Sequence, residues 1–243
     1  MRKLLSNAST NPKTAKLLKQ FGYEAVIHHM TPDKLANGKT TVCPWSTPGC
    51  RDSCLNTSGR SQITGGLTTN NLKMYMIHRA RIGKTLSFLN DRKAYAYQLT
   101  HELNLLQERA LAKYKRPVAR LNGTSDVPWE KYIDMEALPN IQFYDYTKDM
   151  GRMSRWLAFK LPDNYHLTFS YSEVTPTSAV GSILGEGGNV AVVFRKEIPF
   201  RWRGYEVISG INHDFRFNDP KGYIVGLIAK GRAKKDKTGF VID

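Results

Sequence analysis

Pro117-Val118-Ala119-Arg120-Leu121-Asn122-Gly123-Thr124-Ser125-Asp126 is the stretch on which the fold reading turns. A short run containing β-formers stops at Asn-Gly, and a polar turn follows. The same grammar recurs along the chain. Glu24 to His29 reads as a strand upstream; Ile141 to Tyr146, His166 to Tyr171, Val190 to Arg195 and Tyr223 to Ala229 read as strands downstream. Helical periodicity fills most gaps between them. Asn71 to Ile82 has apolar residues at helical spacing. Asp91 to Lys115 carries Tyr95, Leu99, Leu103, Leu106 and Ala110 as one stripe, with Asn90 or Asp91 as its cap. Shorter helices are predicted at Trp129 to Leu138, Arg152 to Phe159 and Thr14 to Phe21. Strands alternating with helices imply a parallel sheet with right-handed crossovers. The predicted class is α/β, with six strands in a parallel sheet. It forms a single domain over residues 1–243, with a cysteine loop at 41–60 and a basic C-terminal tail.

Composition narrows the function classes. The chain has 243 residues, and its longest apolar runs, such as Ile224 to Ala229, are strand-length. A membrane helix needs about 20 apolar residues. Met1-Arg2-Lys3-Leu4-Leu5 runs into a polar stretch, so no signal-peptide core is expected and the predicted location is the cytoplasm. Lys and Arg number 36 against 21 Asp and Glu, a net charge of +15. Such an excess favours phosphate polyanions, which makes nucleic acid the expected partner; a merely basic, soluble protein is the alternative. The charge is spread over Lys13 to Lys19, Arg79 to Lys84, Arg195 to Arg203 and Lys230 to Lys237.

All three cysteines, Cys43, Cys50 and Cys54, fall in one loop with the spacing Cys-x6-Cys-x3-Cys. The odd number and the expected compartment argue against a disulfide framework. Pro44, Pro48 and Gly49 break regular structure, so the loop can wrap three thiolates around one centre, and Arg51 favours the thiolate forms. A [4Fe–4S] cluster fits three thiolates with one iron left open. Zinc is the alternative, with a fourth ligand drawn from His28, His29, His78 or His101. Three unliganded cysteines are the third possibility.

Ligands of parallel α/β folds sit beyond the carboxyl ends of the strands, and polar residues recur there. Asn122, Gly123, Ser125 and Asp126 follow one strand; Asp145 and Lys148 end the next; Ser170, Ser172 and Glu173 end another. Each has a structural alternative: Asp126 as a helix cap, Asp145 as a partner of Lys148, Glu173 as a solvated loop charge. Further on, Pro199-Phe200-Arg201-Trp202-Arg203 interleaves bases and aromatics, which suits stacking beside phosphates. His213 and Asp214 are candidates for proton transfer, unless Asp214 and Arg216 form a structural ion pair.

A three-cysteine loop after the first strand of a six-strand α/β unit resembles the radical S-adenosylmethionine superfamily. The Gly123-Thr124-Ser125-Asp126-Val127-Pro128 turn is similar in position to that family's Gly-Gly-Glu-Pro motif, and Ser170-Tyr171-Ser172-Glu173 to its ribose-contacting motif. The cysteine spacing is longer than the family's Cys-x3-Cys-x2-Cys. The chain also resembles small phage proteins with the same cysteine loop, an Asn-Gly-Thr-Ser-Asp turn and a Gly-Leu-x-Ala-Lys-Gly segment, which would place it in the host cytoplasm. The resemblance implies a partial (β/α)6 parallel barrel and an iron–sulfur enzyme acting on nucleic acid or a nucleotide. Cys43, Cys50 and Cys54 would hold a [4Fe–4S] cluster. Asn122, Gly123, Ser125, Asp126, Ser172 and Glu173 would hold S-adenosylmethionine, and Asp145, His213 and Asp214 would serve catalysis. Two other functions stand beside it: a zinc-containing barrel enzyme of base-exchange or glycosidic type, using Asp126 and Asp145, and a non-catalytic nucleic-acid-binding protein.

Overall fold

The computed structural model describes residues 3–8, 18, 20–58 and 72–243. The helical pattern at Thr14 to Phe21, the charges at Lys13 to Lys19, the end of the 41–60 loop and the start of the Asn71 helix lie wholly or partly outside them.

β1 (Leu5–Asn7) pairs antiparallel with β2 (Tyr23–His28). α1 (Pro48–Asp52) lies in the cysteine loop, and α2 (Leu72–Asn90) and α3 (Arg92–Leu111) lead to β3 (Arg116–Arg120). β4 (Gln142–Thr147), α4 (Met150–Leu157), β5 (Tyr165–Ser170), α5 (Thr177–Gly185) and β6 (Val190–Phe194) continue the alternation. β7 (Arg201–Trp202), β8 (Tyr205–Ser209), β9 (Ile224–Ile228) and β10 (Val241–Ile242) complete the sheet.

The expected (β/α)6 barrel does not form. The ten strands make one mixed, mostly parallel sheet in the order β1-β2-β3-β4-β5-β6-β9-β8-β7, with β10 beside β6. It stays open because each end is finished by an antiparallel strand, β1 on β2 and β7 on β8, and the two edges do not meet. The β7–β8 hairpin turns on Arg203 and Gly204, with φ of 51° and 85°. Two positive φ values in a two-residue loop match the twist of the flanking strands.

From β2 to β6 the strands advance in one direction, and α2 to α5 all contribute to one core. Phe88, Leu99, Leu103, Leu106, Met153, Val180 and Ile183 pack there on Ala119, Phe143, Leu167, Phe169 and Val192. α3 has the predicted stripe, and Asp91 caps it by accepting a 2.9 Å hydrogen bond from the Ala94 N–H. The predicted helix at Trp129 shrinks to one turn, Trp129–Lys131. Ile133 and Met135 are both buried, a spacing of two that no single helical face can serve.

The order doubles back at β9, which lies between β6 and β8. A right-handed β8-to-β9 crossover must therefore run over the opposite face of the sheet. It does so without an α-helix: Phe215 and Phe217 pack on Val118, Tyr144 and Tyr23, and Arg216–Asn218 contacts β5. β10 enters where β5 and β6 part. β5 pairs with Val190 and Ala191 of β6, whereas β10 pairs with Val193 and Phe194. No helix among the described residues is long and apolar enough to cross a membrane.

Leu103 is fully buried where α3 meets the sheet. Leu103→Ala should lower stability by about 2–5 kcal/mol, read as a lower urea midpoint with an unchanged m-value.

Candidate functional site

The turn after β3 is built for its own support. Asn122 donates through its backbone N–H to Asp145 Oδ1 at 2.7 Å and through Nδ2 to Asp145 Oδ2 at 3.1 Å and Val127 O at 2.9 Å. Its Oδ1 accepts from Ser125 Oγ at 2.8 Å and the Val127 N–H at 2.9 Å. A side chain on Gly123 would put Cβ 2.4 Å from His29 Nδ1 and 2.7 Å from His28 O, so glycine is required by close approach.

Beneath this turn lies a buried guanidinium. Arg152 pairs with Glu130 at 2.8 Å and Asp126 at 3.3 Å, and also donates to the Tyr165 hydroxyl. Tyr165 in turn donates to Asp145 Oδ2 at 2.8 Å. Burial raises the pKa of Asp145 to about 6, against the pull of Arg152 and the Asn122 N–H. Asp126 is also raised by burial, opposed by Arg152 and by the Lys148 N–H, which donates to Oδ2 at 2.9 Å. Asp126 therefore does not cap the Trp129 turn, and Asp145 does not pair with Lys148. Both are held inside a saturated network, away from solvent.

Glu173 clamps the cysteine loop. Its carboxylate accepts from Thr47 Oγ1 and from the Gly49 N–H, both at 2.7 Å. Gly49 sits so close to Thr238 and Phe240 that a Cβ would lie 2.1 Å from Thr238 Oγ1. Ser172 makes a local turn with Thr175 at 3.0 Å.

The metal and cofactor expectations are corrected here. Among the described residues, no group of three His, Cys, Asp or Glu is arranged to hold a metal ion. Neither a [4Fe–4S] cluster nor zinc has its ligand set, and without the cluster the S-adenosylmethionine assignment loses its anchor. The thiols have other roles. Cys43 accepts from the Asp33 N–H at 3.4 Å and donates to Thr124 O at 3.7 Å. Burial pushes its pKa up to about 12, opposed by the Asp33 N–H and reinforced by Cys54 and Cys50. Cys54 caps the Leu55–Thr57 turn, and burial raises its pKa too. Cys50 packs against Ala229, Ala233, Phe240 and Val241. Burial outweighs the thiolate-favouring effect expected of Arg51, whose guanidinium donates instead to Ser46 O at 2.7 Å.

The sequence reading missed a cationic rim at the same strand ends. Lys148 Nζ donates to Ser170 Oγ at 2.7 Å and lies 5.3 Å from the centre of the Phe240 ring. Arg81 donates to Asn56 Oδ1 at 2.6 Å. The basic turn Gly231–Lys235 packs against Leu55–Thr57 of the cysteine loop. Arg195 anchors it by donating to Lys234 O at 2.7 Å and Asp236 O at 2.8 Å. Among the described residues, none of Arg81, Lys148, Lys230, Arg232, Lys234, Lys235 and Lys237 forms a salt bridge. The signal in the sequence was the density of Lys and Arg after β9, whose position beside the cysteine loop no spacing reveals.

In the Arg-Trp-Arg segment Trp202 packs on the core while Arg201 and Arg203 are exposed. Trp202 packs edge-on against Tyr171 at 5.1 Å, and Arg203 lies 4.5 Å over Trp202 while donating to Thr177 and Tyr171. His213 and Asp214 lie on the other sheet face from Asp145. Asp214 pairs with Arg120 at 2.8 Å, and Arg216 with Asp219 at 3.2 Å, so the expected Asp214–Arg216 pair is replaced by two others.

Comparison with known families matches residues 3–243 to the family model GP88, described as gene product 88. No curated protein and no solved structure matches the chain.

Two outcomes test these roles. Arg152→Met leaves Asp126 without its ion-pair partner and Glu130 with only Arg155, 3.7 Å away, and should cost about 3–5 kcal/mol in urea unfolding. Glu173→Ala frees the loop, so thiol reagents should label native Cys50 and Cys54 about tenfold faster through local opening, while the unfolding m-value stays unchanged. Unaltered labelling would show that Glu173 does not hold the loop.

Proposed function

The chain belongs to the gene product 88 family, and we propose that it is a nucleic-acid-binding protein whose phosphate contacts come from the rim at the carboxyl ends of its parallel strands. The observation that carries this reading is a group of rim cations that have no carboxylate partner among the described residues: Lys148, Lys230, Arg232, Lys234, Lys235 and Lys237. Positive charge that no neighbouring anion neutralises is relieved by a polyanion, with release of that polyanion's counterions. The chain's net charge of +15 points the same way. The rim adjoins the boundary between β6 and β9, where the strand order doubles back, the usual ligand crevice of an open α/β sheet. A cytoplasmic setting, where nucleic acid is at hand, agrees with this role.

The glycosidic reading fares less well on geometry. Asp126 and Asp145, its proposed acid and base, are committed to Arg152, Tyr165 and backbone N–H groups.

Affinity for a single-stranded oligonucleotide should fall log-linearly with salt, by about 0.7 in slope per phosphate contacted. Replacing Lys234 and Lys235 together with Ala should flatten that slope by about 1.4, the share of two contacts. Arg203→Ala should leave it unchanged, since Arg203 is engaged with Trp202, Thr177 and Tyr171. Absence of DNA and RNA binding even at low salt would sink the proposal.

A further inference from the structure

On the sheet face opposite α2 to α5, the β8–β9 crossover lowers a polar cluster onto the carboxyl ends of β3 and β4. Arg120, at the end of β3, pairs with Asp214 at 2.8 Å and lies 4.8 Å over the ring of Tyr146. Tyr144 donates to the same Asp214 oxygen at 3.4 Å. Arg216 is 0% exposed; it reaches Asp219 Oδ2 at 3.2 Å, out of line for a hydrogen bond, and donates to His213 O. His213 Nε2 lies 3.6 Å from Asp219.

The two cations and two carboxylates neutralise one another pairwise. What remains unmet is hydrogen-bonding capacity. Among the described residues, the buried Nε atoms of Arg120 and Arg216 have no hydrogen-bond partner. The Tyr146 hydroxyl, whose pKa burial raises, with Asp214 adding and Arg216 and Arg120 opposing, makes no hydrogen bond with a described residue, and the residue as a whole is partly exposed. Burial, with Arg216 nearby, lowers the pKa of His213, so its ring is neutral near pH 7; Nδ1 takes the Arg216 Nη2 donor at 3.0 Å, and the Nε2–H is left to give. A buried polar group without a partner costs free energy, and a ligand that pairs with it recovers that cost.

We propose that this cluster, centred on Tyr146, Asp214 and His213, binds a nucleobase of a single strand that crosses the cationic rim. The inference rests on the nucleic-acid reading above and names what that strand inserts. A balanced set of charges selects a neutral ligand over an anion. Unpaired donors and acceptors beside the rings of Tyr144 and Tyr146 select a flat, hydrogen-bonding one. Lys148 and Ser170, which belong to the rim, follow Tyr146 and Thr168 on the same sheet face, so backbone phosphate and base fall to neighbouring groups. Single-strand readers commonly pair a basic groove with base-binding side chains.

The test uses the four uncharged ribonucleosides on the full chain, by saturation-transfer NMR and calorimetry, beside a single-stranded oligonucleotide. At least one nucleoside should bind with an affinity insensitive to salt. Tyr146→Phe, which keeps the ring over Arg120, should weaken it about five- to tenfold, the worth of one hydrogen bond. Asp214→Asn should weaken it further, and the Lys234/Lys235 alanine pair should weaken the oligonucleotide alone. Absence of nucleoside binding at about 10 mM, far above useful affinities, overturns the inference even if oligonucleotides bind. So does nucleoside binding that ignores both Tyr146→Phe and Asp214→Asn. Nucleoside binding that depends on Tyr146, without oligonucleotide binding, upholds this site and refutes the rim.

Discussion

Parallel strands can be joined in only one hand, and the molecule's two faces follow from that constraint. While the strands advance from β2 to β6, each connection crosses on the same side and supplies apolar side chains to one core. When the order doubles back at β9, the same handedness sends the chain to the other side. Residues 210–223 therefore cover the face opposite α2 to α5. Phe215 and Phe217 anchor the segment, and its polar residues meet the strand ends. One face is a layer of helices on sheet, with the Arg152 network buried in it. The other is a mixture of rings and paired charges.

The second organising feature is Arg152. A guanidinium removed from water costs several kcal/mol unless close partners offset the loss. Burial works to lower its pKa, but Tyr165, Glu130, Asp126 and Asp145 more than compensate and keep the charged form favoured. The result is a tie between the turn after β3, the start of α4, and β5. Two aspartates at strand ends, a position that usually signals catalysis, take part in it. Their carboxylates complete the environment of a cation.

Much of the framework was legible in the chain. All six strands expected from apolar runs exist, within a residue or so at most ends, because a β-strand buried on both faces reads as a continuous run. The α3 stripe and its Asp91 cap were equally plain. Closure of the sheet was not. It is decided by β1 and β7, three and two residues long, which are too short to show a pattern. Residues 196–219 carry no plain pattern because they hold the short β7–β8 hairpin and then a crossover without an α-helix. The site was misread for a related reason: partners lie far apart in sequence. Glu173 grips Gly49 across 124 residues, and Asp214 meets Arg120 across 94. Three cysteines in one loop suggested a metal. Burial of Cys43 and Cys54, which no spacing reveals, favours protonated thiols that serve as hydrogen-bonding and packing groups.

β10 has a consequence for how the protein is made. It is the last of the described strands to leave the ribosome, yet it occupies the gap between β5 and β6, and the residues before it seat Gly49 and Lys148. A nascent chain can assemble β2 to β6 and their helices before that. Until Thr238 to Ile242 emerge, the cysteine loop lacks its wall, and Asp236, which ends the basic turn, lacks the Val241 N–H that donates to it at 3.0 Å. The sheet from β2 to β6 can thus fold during translation, whereas this edge is completed only when synthesis has passed β10. A nascent chain held short of Thr238 would be folded in its core and still lack the edge.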